Sequence, residues 1–97
     1  MEQNVKKATP ASIRIIDAEL KGVYSNAAQI AHTKEEFVID FAVALPPQAI
    51  VTSRVIVSPG HFKRMLQAMS NNLGLYEKAF GSIDVAEEPQ GIGFKRS

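Results

Sequence analysis

Cysteine and tryptophan are both absent from the 97-residue chain. Without cysteine there is no disulfide, zinc knuckle, iron–sulfur ligation or thiol nucleophile. The two histidines, His32 and His61, stand far apart and form no HxH or HxxxH pair, so a metal site within one chain is not expected and no cofactor is implied. An excess of one charge is also missing: 11 Lys and Arg oppose 10 Asp and Glu, for a net charge of +1. That balance is neither the basic footprint of a nucleic-acid binder nor an acidic solvating tail. No apolar run approaches the ~20 residues that cross a bilayer. The polar start Met1-Glu2-Gln3-Asn4 lacks the apolar centre of a secretory signal. A cytoplasmic chain with no membrane contact is the expectation.

What is present is an apolar share of 45%, ample for one globular core and excluding wholesale disorder. The patterning divides the chain into a flexible arm over 1–11, a single α+β domain over 12–83 and a flexible tail over 84–97. Phe37, Ile39, Phe41, Val43 and Leu45 alternate with smaller or polar residues, as in a half-buried strand. Pro46-Pro47 ends that strand, because proline lacks the ladder donor. Ile50 to Val57 is β-branched almost throughout and predicts the next strand. Upstream, Ser12–Leu20 and Val23–Ala31 read as two more strands around a Lys21-Gly22 turn. Short connections then make a four-stranded antiparallel meander.

At Ser58-Pro59 the period changes. Serine at the cap and proline in the first helical position start a helix, since the hydroxyl satisfies an orphan amide and proline has none to lose. Phe62, Leu66, Met69, Leu73, Tyr76 and Phe80 follow at alternating spacings of four and three, with Met65 beside them and Gly81 as the stop. Gly74 marks where this long amphipathic helix would kink. The helix is expected to pack on one sheet face or at a subunit interface.

A hairpin pairing residues whose numbers sum to about 94 sets Asp40 opposite Arg54 and Val43 opposite Val51, with the large apolar residues on one face. The opposite face then reads Ile16, Ala18, Leu20, Val23, Ala27, Val38, Ala42, Ala44, Ile50 and Ile56, relieved by Asp40, Thr52 and Arg54. A face so apolar calls for a cover. We expect a second copy there, with Ile16, Ala18, Val38, Ala42, Ala44, Ile50 and Ile56 as the oligomer interface; folding of the arm or tail over it is the alternative.

Chemistry-bearing residues are few. His61 follows the cap, where the helix dipole disfavours its charged form, and it reads as a surface residue. Glu35-Glu36 beside Lys34 reads as a charged hairpin edge, and Gly91-Ile92-Gly93 lacks the strand–helix context of a phosphate loop. Lys63 and Arg64 on the helix, with Lys6-Lys7 and Lys95-Arg96 at the ends, have no interleaved aromatics to stack bases.

Several motifs in combination resemble a known family: Tyr24-Ser25-Asn26, Glu36-Phe37-Val38-Ile39-Asp40-Phe41, Ser53-Arg54-Val55-Ile56-Val57-Ser58-Pro59, Lys63, Tyr76-Glu77 and Phe80-Gly81 with Ile83. Together they are similar to small bacterial and archaeal proteins grouped as domain of unknown function 3467, over about residues 20–83. The resemblance implies a compact domain and no established activity. Of its polar positions, Ser58 has a capping role, and Asp40 with Arg54 a pairing one. Asn26 either satisfies a buried backbone group or lines a site, and Lys63 has no structural account. A meander followed by one long helix also looks like the SecB-type export chaperones at the level of fold, which licenses little about function.

The missing catalytic set and the surplus apolar face lead to a non-catalytic, oligomeric interaction protein, an adaptor or chaperone-like module that binds itself and another polypeptide. The alternative is a nucleic-acid-binding dimer using Lys63, Arg64, Arg54 and the terminal arms.

Overall fold

The computed structural model describes residues 11–89; nearly all of the expected arm and the end of the expected tail lie outside them. The fold is α+β. Three antiparallel strands, β1 (Ala27–His32), β2 (Phe37–Leu45) and β3 (Gln48–Val57), form one sheet in the order β1-β2-β3, and helix α1 (Pro59–Phe80) follows.

The expected first strand is absent, so the meander has three strands rather than four. Residues 11–16 join no ladder, and Asp17–Glu19 form a single 3-10 turn closed by Glu19 N–H donating to the Ile16 carbonyl at 2.9 Å. Asp, Ala and Glu are poor strand formers, and Gly22 at φ 75° turns the chain with a backbone that favours glycine. Ile16 and Ala18, expected on the sheet, therefore stand outside it and are exposed.

The β2–β3 hairpin pairs Ile39 with Val55, Asp40 with Arg54 and Phe41 with Ser53, as the sum of 94 requires. A bulge then intervenes. Ala42 pairs with Val51 and Val43 with Ile50, leaving Thr52 as the extra residue, whose hydroxyl donates to the Phe41 carbonyl at 3.3 Å. One inserted residue exchanges faces beyond it. Val51 accordingly joins the Ala42 face, and Ile50, expected with the alanines, joins the face of Phe41 and Val43.

Helix α1 is a continuous run of 22 residues with no interruption at Gly74. Ser58 caps it by accepting the His61 N–H at 3.2 Å, and Pro59 opens the first turn. Gly81, at φ 97°, stops it and donates its N–H to the Glu77 carbonyl at 2.8 Å.

Among the described residues only Ile39, Ala42 and Ala44 are buried apolar side chains, all three on β2. Both faces of the central strand are thus covered, while no residue of α1 is buried.

Candidate functional site

Three constellations come out of this architecture: a polar closure at the end of the sheet, an ion pair across β2 and β3, and an apolar groove under the helix.

The polar closure is built from Ser25 and Asn26, just before β1. The Asn26 N–H donates to the Ala42 carbonyl at 3.1 Å, continuing the ladder. Its carboxamide then does what a further residue of backbone would do. Nδ2 donates to the Ala44 carbonyl at 3.1 Å, and Oδ1 accepts the Ala44 N–H at 2.7 Å. The Ser25 hydroxyl is within hydrogen-bond distance of the carbonyls of Ala27 at 2.7 Å and Ala42 at 3.0 Å. Because Ala44 is buried, its peptide groups need such partners. Asn26 therefore satisfies a buried backbone rather than lining a cavity.

Across the hairpin, Arg54 grips Asp40 with two of its nitrogens, Nε to Oδ1 at 2.7 Å and Nη2 to Oδ2 at 2.9 Å. This fork geometry is the strong form of the interaction. The Asp40 side chain is 15% exposed and that of Arg54 62%. The hydrogen bonds from Arg54, aided by its charge and opposed by burial, hold the Asp40 carboxyl below its ordinary range. The same hydrogen bonds and charge raise Arg54.

At the start of α1, Arg64 Nη2 lies 2.7 Å from His61 Nδ1. Lys63 is exposed and has no hydrogen bond or ion pair among the described residues. At the other end Glu77 is half-buried and Tyr76 exposed; Glu77 Oε2 accepts the Ile83 N–H at 3.1 Å.

The groove is a concave feature between the sheet and the helix. Ala28 and Ile30 of β1 and Ile39 and Phe41 of β2 form its floor, and Phe62, Met65, Leu66 and Met69 of α1 its wall, around about 210 Å³. At its end Phe62 stacks on Phe37 with ring centroids 4.0 Å apart, and His32 tilts against Phe37 at 5.3 Å. Every lining side chain is apolar, so the groove offers no group for acid–base or nucleophilic chemistry. It can only take up another apolar surface, and the two methionines adapt readily to varied shapes. The described residues contain no group of three metal-ligating side chains.

The model of a family described as a protein of unknown function, DUF3467, matches residues 1–85. The chain belongs to this family. No curated protein and no solved structure matches it. In this DUF3467 chain the residues singled out from sequence are not gathered into one site. Asn26 closes the sheet end, Asp40 and Arg54 meet across strands, and Lys63 stands alone on the helix. Of the seven expected interface residues, Ala42 and Ala44 are already buried by the chain itself. Val38 and Ile56 remain cross-strand neighbours on their face. The groove is legible in part from the sequence, since the alternation of Ile39 and Phe41 and the helix stripe mark two apolar faces, whereas the role of Ser25 is not, since a serine before a strand is common in loops. No described helix is long and apolar enough to cross a membrane.

Proposed function

We propose that this chain is a subunit of a non-catalytic, cytoplasmic homo-oligomer that works by binding another polypeptide, as an adaptor or chaperone-like module. One observation carries the reading. The apolar stripe of α1 is left open, with Leu66 58%, Met69 64%, Leu73 47%, Tyr76 47% and Phe80 77% exposed, while only Ile39, Ala42 and Ala44 are buried among the described residues. Large contiguous apolar surfaces of this kind belong to interfaces. The purely apolar groove beside the stripe supports a peptide partner rather than a polar metabolite.

Light scattering on the eluting protein across a hundredfold concentration range tests the subunit claim: a mass of two or more chains is expected, and a monomer throughout refutes it. Titration of a labelled Leu- and Val-rich 15-residue peptide, read by fluorescence anisotropy, tests the partner claim. Saturable binding is expected, weakened by Met69→Asp in the groove.

The alternative, a nucleic-acid-binding dimer using Lys63, Arg64, Arg54 and the terminal arms, is supported by Lys63, which is exposed and has no partner among the described residues. Arg54 and Arg64 are engaged, by Asp40 and His61. A mobility shift lost between low and moderate salt is its signature.

A further inference from the structure

The two edges of the sheet are unlike each other. β1 has six residues, and its neighbour β2 continues past it onto the Asn26 carboxamide. β3 has ten residues, pairs only with β2, and makes no other backbone hydrogen bond among the described residues. A row of unused N–H and C=O groups is a template for another strand, and proteins normally guard it with charged side chains, proline, a bulge or a covering element. β3 has no lysine or proline; its one charge, Arg54, is turned to Asp40, and its bulge at Thr52 leaves Ser53–Val57 regular. The floor of the groove under α1 comes entirely from β1 and β2, so the helix sits toward the far side of the sheet from this edge.

The chemistry of the edge says what fits it. β3 is apolar and open on both faces: Ile50 is 59%, Val51 50%, Val55 38% and Ile56 54% exposed. An added strand must therefore be apolar on both faces. A strand carrying a complementary charge gains nothing, because the only charge on β3, Arg54, is already held by Asp40. β3 itself meets that description, and antiparallel pairing of one strand with its own copy is self-complementary about a two-fold axis. The bulge at Thr52 limits regular pairing to Ser53–Val57. A centre on Arg54 would set two guanidinium groups opposite each other, whereas a centre on Val55 avoids this.

We propose that β3 pairs with β3 of a second copy, antiparallel and centred on Val55, to make one continuous six-stranded sheet with both helices on the same face. Ser53 then lies opposite the second copy's Val57. The proposal rests on the oligomer reading above and gives the self-contact to the β3 edge, which leaves the α1 stripe and its groove to the polypeptide partner.

Because the chain has no cysteine, a single introduced thiol can bridge only to another copy. Directly opposed residues have Cα atoms about 4.5–5.5 Å apart, within the roughly 4.4–6.8 Å a disulfide spans. Val55→Cys, Ala31→Cys on β1 and Leu73→Cys on the helix are each oxidised in dilute full-length protein. Disulfide dimer is scored on non-reducing gels, and mass is measured by light scattering under reducing conditions. The expected result is at least tenfold more covalent dimer from Val55→Cys than from either of the others. A 1:1 mixture of Ser53→Cys and Val57→Cys chains, one bearing a mass tag, should give the mixed dimer, which keeps the test alive if Val55→Cys misfolds. Reduced protein that is oligomeric while cross-linking only at Leu73 or Ala31 overturns the edge pairing and leaves the oligomer standing. Monomeric protein without cross-links overturns both.

Discussion

Where β1 begins, a side chain completes the sheet: the Asn26 carboxamide binds both peptide groups of Ala44, and the fork of Arg54 on Asp40 ties β3 to β2. Along α1 the apolar stripe has no such closure among the described residues, and Leu73, Tyr76 and Phe80 stay 47%, 47% and 77% exposed. Within its ladders the sheet thus meets its polar demands from one chain, through directional contacts with few alternatives, and leaves the outer edge of β3 open. The helix meets its apolar demand only in part, through Phe62 on Phe37 and the methionine-lined groove, whose Leu66 and Met69 stay open like the rest of the stripe. Hydrogen-bonded closure specifies one partner geometry, whereas apolar contact accepts many. A fold can be finished inside its sheet and unfinished at the sheet's edge and along its helix.

The largest blow to this contrast comes from Asn26→Asp. The substituted side chain presents an acceptor to the Ala44 carbonyl where Nδ2 donated, and we expect a loss of about 3 kcal/mol, read from urea midpoints at pH 7. Unchanged midpoints would place the sheet's closure elsewhere. Phe62→Ala removes the stack that anchors the helix and should cost about 2 kcal/mol, below the range for a fully buried phenylalanine because Phe62 is half-buried. If the sheet is complete in itself, strand amides remain protected in hydrogen exchange while helix amides exchange faster. Gly74→Ala acts on the helix alone. A Cβ there meets nothing within 4 Å, so the substitution should stabilise by about 1 kcal/mol through helix propensity, without altering association. The smallest effect is the pH dependence of the ion pair. The carboxyl of Asp40 sits below its ordinary 3.8 in the folded chain. Its contribution is therefore complete above the unfolded value and is lost as pH falls through the folded one. Urea midpoints should drop more between pH 6 and pH 3 in the parent than in Asp40→Asn, and equal drops would show the pair to be silent.

The strands from Phe37 and the helix from Ser58 to Gly81 were legible because each carries redundant signals. Alternation, paired prolines, a capping serine and a glycine stop all agree. Asp40 facing Arg54 was legible because only one register in that neighbourhood keeps both the faces and the charges together. The absent first strand was not, since Ile13, Ile15 and Ile16 supply apolar residues without settling on one face, and the acidic turn at Asp17–Glu19 competes for the same stretch. The bulge was hidden by composition. When both faces of a strand are β-branched, an extra residue at Thr52 leaves no scar in the hydropathy pattern, yet it exchanges Ile50 and Val51. The role of Asn26 lies in three-dimensional placement alone, because a carboxamide standing in for a peptide has the same sequence signature as one in any loop.

Glu77 offers a last consequence. Its carbonyl takes the N–H of Gly81 and its carboxylate the N–H of Ile83, so a single residue clamps the chain at two points as it leaves the helix. Ile83 is thereby held against the last turn of the helix, as by a bracket instead of a hinge. A reporter at Asp84, directly after the clamp, should show restricted motion in the parent and lose the restriction in Glu77→Ala, which makes the helix tip a usable mount for measuring how two copies are oriented.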